Sequence, residues 1–167
     1  GNIVISPNDE IWNILRFNSR PLVDKAAMVK VEEGGRQVSF DPATGFIDFP
    51  GGMSKFSIRY DPSTQHYLTL SNNNTDPNFP VQRNELSLCV STDLINWQHK
   101  LTLIEDDSEL DFAESVRLIG FQYVDWQFDE RDLIYLVRTA YDGAHNYHDA
   151  NRITFHRLSD FRQYIRN

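Results

Sequence analysis

Residues 120–129 read GFQYVDWQFD and residues 133–143 read LIYLVRTAYDG, joined through Asp129-Glu130-Arg131-Asp132. Both runs are rich in aromatic and β-branched residues. With a short charged turn between them they predict a hairpin of buried strands. A third strand, NRITFHRL (151–158), follows a loop that carries Asp142, His145, Asn146, His148 and Asp149. Ionisable side chains thus crowd into one connection between rigid strands, where binding and catalytic groups tend to sit.

Working outward, the same arrangement recurs twice. NIVIS (2–6) turns through Ser6-Pro7-Asn8-Asp9 into EIWNILRFN (10–18). KAAMVKVEE (25–33) then returns through Gly34-Gly35 as RQVSF (36–40). The second round runs GMSKFSIRY (52–60), QHYLTLSNN (65–73), NELSLCVS (84–91) and WQHKLTLI (97–104). EIWNILRFN, QHYLTLSNN and LIYLVRTAY share the second-strand slot, and KAAMVKV, ELSLCVS and RITFHRLS share the third. After the third strand comes Ser91-Thr92-Asp93-Leu94-Ile95-Asn96-Trp97 in round two and Ser159-Asp160-Phe161-Arg162-Gln163-Tyr164 in round three. In each turn the aspartate is expected to bond backbone amides while the aromatic seats in the sheet beneath.

Repeats of about 55 to 65 residues, each an antiparallel four-stranded meander, are the mark of β-propeller blades. The expected fold is therefore all-β, a partial propeller of two to three blades spanning approximately 1–41, 46–104 and 118–167, treated as a single domain. An antiparallel sandwich is the alternative. Since closure needs at least about four blades, the end blades should present bare apolar faces, with association through their open edges or partial disorder as the expected result.

A formal net charge of -8 argues against a nucleic-acid backbone or an anionic membrane as partner. No run reaches the length of a membrane span, so no insertion is expected. Cys89, the single cysteine, lies in the apolar LSLCV and forms no internal disulfide. No phosphate loop or nucleophile elbow occurs, and no cofactor is expected. The acidic run 105–111 lacks the glycine and spacing of a calcium loop and reads as a solvated linker. His145-x-x-His148 lacks the further ligands of a zinc site, so no metal is expected.

The turn STDLINW (91–97) resembles the Ser-x-Asp-Leu-x-x-Trp blade turn of five-bladed glycoside hydrolases of the arabinanase and fructosidase type. More loosely it resembles the Asp-box of sialidases, lacking the glycine and threonine before the tryptophan. Residues 40–62, 120–129 and 144–158 resemble bacterial proteins described as sialidase-like or propeller-fold glycosyl hydrolases, with HDANRITFHR (148–157) the most specific part. The resemblance implies the C-terminal portion of such an enzyme, further blades upstream, a carbohydrate ligand, and a secreted or periplasmic setting.

In a propeller, loops entering the first strand and loops joining the second to the third lie on one face. That face gathers Arg16, Asn18, Asp48, Lys55, Asn72, Arg83, Gln122, Tyr123, Arg138, Asp142, His145, His148 and Asp149, while Asp61, Asp93, Asp129 and Asp160 fall opposite. Glycoside hydrolysis ordinarily takes two carboxylates flanking the bond. Asp48, in the apolar GFIDFPGG with glycines that let backbone approach a ligand, is one catalytic candidate. Asp149 is the other, with His148 beside it for proton transfer. Arg83 and Arg138 could hold a substrate carboxylate, and Lys55, Gln122, Tyr123 and Asp142 complete the substrate-binding set. Asp125, mid-strand between aromatics, reads as a buried anchor. The expected function is hydrolysis of a glycosidic bond, with a non-catalytic carbohydrate-binding or structural module as the alternative.

Overall fold

The computed structural model describes residues 1–165. The chain is all-β, built as three antiparallel sheets in sequence order. The first comprises β1 (Asn2–Ile5), β2 (Ile11–Arg16), β3 (Lys25–Glu32), β4 (Gln37–Ser39) and β5 (Phe46–Asp48). The second is β6 (Ile58–Asp61), β7 (His66–Ser71), β8 (Glu85–Ser91) and β9 (Gln98–Glu105). The third is β10 (Gly120–Asp129), β11 (Asp132–Ala140) and β12 (Arg152–Leu158).

Period-two alternation builds the core. On β7, Tyr67 points toward the first sheet and joins Val4, Ile14, Ala26, Met28 and Ile58. Its neighbours Leu68 and Leu70 point the other way, with Leu86, Leu88 and Val90 of β8, against Phe121, Val124, Trp126 and Tyr135 of the third sheet. The second sheet is thus sandwiched between the other two. Each fully buried leucine there stabilises by roughly 2 kcal/mol.

Two elements differ from the sequence reading. The fourth strand of the first sheet does not end at Phe40. β4 covers Lys30–Glu32 of β3, the loop 40–45 breaks the edge, and β5 then covers Lys25–Ala27. Asp41 shapes the break, its carboxylate accepting from Ala43 N–H and Thr44 Oγ1. Phe46–Asp48 therefore closes the first sheet instead of leading the second. The acidic linker, in turn, is not wholly solvated coil. Asp111 accepts from Glu114 N–H and so caps helix α1 (Phe112–Leu118), acidic at its start and with Arg117 at its end, as the helix dipole favours.

The repeated turn is half conserved in mechanism. Asp93 accepts from the backbone N–H of Ile95 and Asn96, Leu94 is fully buried, and Trp97 packs on Phe49, as expected. In round three Phe161 takes the buried seat, but the role of the aspartate passes to Asp132, which accepts from Asp160 N–H at 2.9 Å. Asp160 pairs with Arg131 instead.

Candidate functional site

β10 carries one extra residue where it meets β11. Gln122 opposes Arg138 and Asp125 opposes Leu136, so three steps on one strand face two on the other. The bulge holds Tyr123 at φ 52°, a left-handed conformation that a bulky side chain adopts only when its surroundings impose it. The residue is 42% exposed, and its ring carries the Arg138 guanidinium 5.4 Å from its centroid. The His148 ring stands edge-on at 6.0 Å, with Tyr123 OH 3.4 Å from His148 Nε2.

The β11–β12 loop is fastened on three sides. Tyr147 N–H donates to Arg117 O at the end of α1, and Gln122 Nε2 donates to Tyr147 O. Arg138 Nη2 donates to His148 O at 3.0 Å. Gly120 permits this closeness, since a Cβ there would collide with the Tyr147 carbonyl.

Arg83, two residues before β8, is tied to β10 through its backbone, while its guanidinium donates to Gln82 O and Met53 O. Phe121 N–H donates to Arg83 O, and Asn72 Nδ2 bridges the Glu85 and Phe121 carbonyls at 2.8 and 2.7 Å. Burial lowers the proton affinity of the Arg83 guanidinium, opposed by the fields of Tyr147 and Asp24 and reinforced by that of Arg16. Burial likewise lowers Lys55, whose Nζ donates to Val124 O in the bulge and to Ser57 Oγ.

Asp24 is the group that sequence reasoning missed. Its carboxylate accepts from the N–H groups of Asn74 and Gly51, yet burial dominates and pushes its pKa up to about 6. One signal was available. Asp24, Asn84 and Asn151 each stand directly before the third strand of their round, and all three tie loops: Asn84 to Ser115, Asn151 to Tyr141.

Of the residues named on sequence grounds, Gln122, Tyr123, Arg138 and His148 come together, with Lys55 at the bulge and Arg83 tied to β10 by its backbone. Three do not join them through any bond described above. Asp48 is 87% exposed on the outer edge and paired with Lys25, so the apolar setting expected for it is absent. Gly51 and Gly52 bring backbone against Asn72 and Lys25 of the chain itself. Asp149 pairs with His145 at 2.8 Å, and Asp142 with Arg152 at 3.4 Å. Asp125 is an exposed partner of Arg59 and no buried anchor.

No family model matches the chain, and no curated protein does. Among solved structures it is similar to an N-acetylgalactosamine deacetylase from F. plautii, crystallised with blood group B trisaccharide. Identity is 14%, the TM-score is 0.49, and the match covers 98% of this chain and 50% of that one. The chain thus spans about half the length of that carbohydrate-processing enzyme.

Proposed function

We propose that the chain is a portion of a β-propeller carbohydrate-active protein, and that the Tyr123–Arg138–His148 cluster, with Arg83 and Lys55, binds a glycan. The observation that carries this reading is Tyr123, held exposed in a left-handed bulge with its guanidinium and imidazole neighbours fixed. An aromatic ring offers a sugar a stacking face, while amide, guanidinium and imidazole groups meet its hydroxyls. Titration calorimetry against an oligosaccharide panel tests it. Tyr123→Ala weakens binding at least about tenfold, a loss of about 1.4 kcal/mol. Unchanged affinity in that variant overturns the reading.

Glycoside hydrolysis is the finer reading, and Asp24 favours it. A half-buried carboxyl that holds its proton to about pH 6 has the chemistry of a general acid, whereas Asp48 is paired with Lys25 and Asp149 is hydrogen-bonded to His145. Release of aryl alcohol from aryl glycosides, abolished by Asp24→Asn with glycan binding retained, supports hydrolysis. Binding without turnover in the unaltered chain assigns it to a carbohydrate-binding module.

A further inference from the structure

The first sheet and the turn after β8 enclose a cavity of about 650 Å³ that shares no lining residue with the Tyr123 cluster. Trp12 faces Lys30 across β2 and β3, and Ile14 faces Met28, so all four share the side turned toward the second sheet. Ile14, Met28 and Leu94 form the core there, with Trp12 packed against it. Met28 and Leu94 give the cavity a buried apolar lining. The turns that wall it are held by their own bonds. Ser6 Oγ accepts from Glu10 N–H, the Asp41 carboxylate from Ala43 N–H, and Ser91 Oγ from Leu94 N–H. Walls fixed in this way lose little freedom when a ligand enters.

Polar groups gather around the Trp12 indole. Lys30 Nζ stands 5.9 Å from the ring centroid and donates to Glu10 Oε1 at 2.6 Å. Trp12 Nε1 donates to Glu10 Oε2 at 3.3 Å. One carboxylate therefore holds ring and ammonium together, and the ammonium keeps further N–H groups for a ligand. The side chains of Asn8 and Thr92 line the same space and are exposed. Asp41 and Asp93 line it too, so three carboxylates stand against one ammonium, a balance that disfavours anions.

We propose that this cavity binds a neutral pyranose, its C–H face against Trp12 and its hydroxyls on Glu10 and Lys30. An indole offers a stacking face, and an adjoining carboxylate and ammonium offer neighbouring hydroxyls an acceptor and a donor. The volume lies within the range of about 300–1,000 Å³ found for small-molecule sites. The β1–β2, β3–β4 and β8–β9 turns leave their strands at the ends opposite to the β2–β3 and β7–β8 connections. The site therefore stands apart from the glycan assignment made for Tyr123 and does not depend on it.

Two-dimensional NMR of the isotope-labelled chain locates the ligand, since each of the three tryptophans gives its own indole signal. The probes are the methyl glycosides of glucose, galactose, mannose and N-acetylgalactosamine, with glucuronate as the anionic comparison. At least one methyl glycoside shifts the Trp12 indole signal saturably, and glucuronate leaves it unmoved. Lys30→Met keeps the circular dichroism of the unaltered chain and weakens that response at least about tenfold. In Trp12→Ala the Thr92 amide signal no longer answers to the same glycoside. Should that variant fail to fold, Lys30→Met decides alone. No movement of the Trp12 signal with any of the four, an equal response to glucuronate, or undiminished affinity in Lys30→Met overturns the proposal. The Trp12 signal reports this cavity, so the outcome is read apart from binding at Tyr123.

Discussion

At the scale of single residues, Tyr123 separates conformation from contact. Its left-handed backbone costs about 1 kcal/mol that glycine does not incur, while its ring makes the contacts with Arg138 and His148. Tyr123→Gly is therefore expected to unfold at higher urea than Tyr123→Ala by about 1 kcal/mol, with both losing glycan affinity. Asp24 and Asp93 make opposite acid–base predictions. Burial raises Asp24 from 3.8 to about 6, so the folded chain holds that proton more tightly than the unfolded one. Its contribution is fully present below about pH 4 and is lost as pH rises through 6, a swing of at most about 3 kcal/mol. For Asp93 burial pushes upward, but bonds from Asn96, Ile95 and Ser91 prevail and bring it to about 2. Its contribution is present above about pH 4 and is lost as pH falls toward 2. Denaturant titrations at stepped pH check both: Asp24→Asn flattens the slope between pH 4 and 6, and Asp93→Asn flattens the slope below 4. Asp24 was marked only by its place before the third strand of its round, shared with Asn84 and Asn151; nothing in Val23-Asp24-Lys25 itself announces that loops from elsewhere will enclose the carboxylate.

Among elements, the long strands were readable because alternation and β-branched content agree over seven to ten residues in β8, β10, β11 and β12. Shorter features were not. α1 is seven residues long, too short to show a helical period. β4 and β5, three residues each, are separated by a turn that looks like a boundary. The bulge left one trace: Phe121 and Gln122 are both buried, a break in alternation that side-chain type alone hides, because glutamine reads as solvent-facing. The turn after β8 belongs to this scale as well. Asp93→Ala removes bonds to two backbone amides and to the Asn96 side chain, and is expected to cost about 2 kcal/mol. In round three Asp132→Ala should matter more than Asp160→Ala, since Asp132 holds the turn's amide and Arg157 together. Thermal unfolding of the two variants side by side decides it.

Across the whole molecule, a buried ion pair ties the second sheet to the segment that follows β12. Arg162 donates from Nε and Nη2 to both oxygens of Asp61, each at 2.9 Å, and Asp61 is 1% exposed. Removing the cation leaves a buried charge unmatched, so Arg162→Met is expected to cost about 3 kcal/mol. Arg157→Met, with its partners Asp129 and Asp132 nearer solvent, should cost under about 1 kcal/mol. The divided margin of the first sheet has a consequence of its own. A foreign strand that adds to a sheet needs an unbroken row of free amide and carbonyl groups. Here that row is cut after Ser39 and resumes only at Phe46, so amyloid-like recruitment along this border lacks a continuous template.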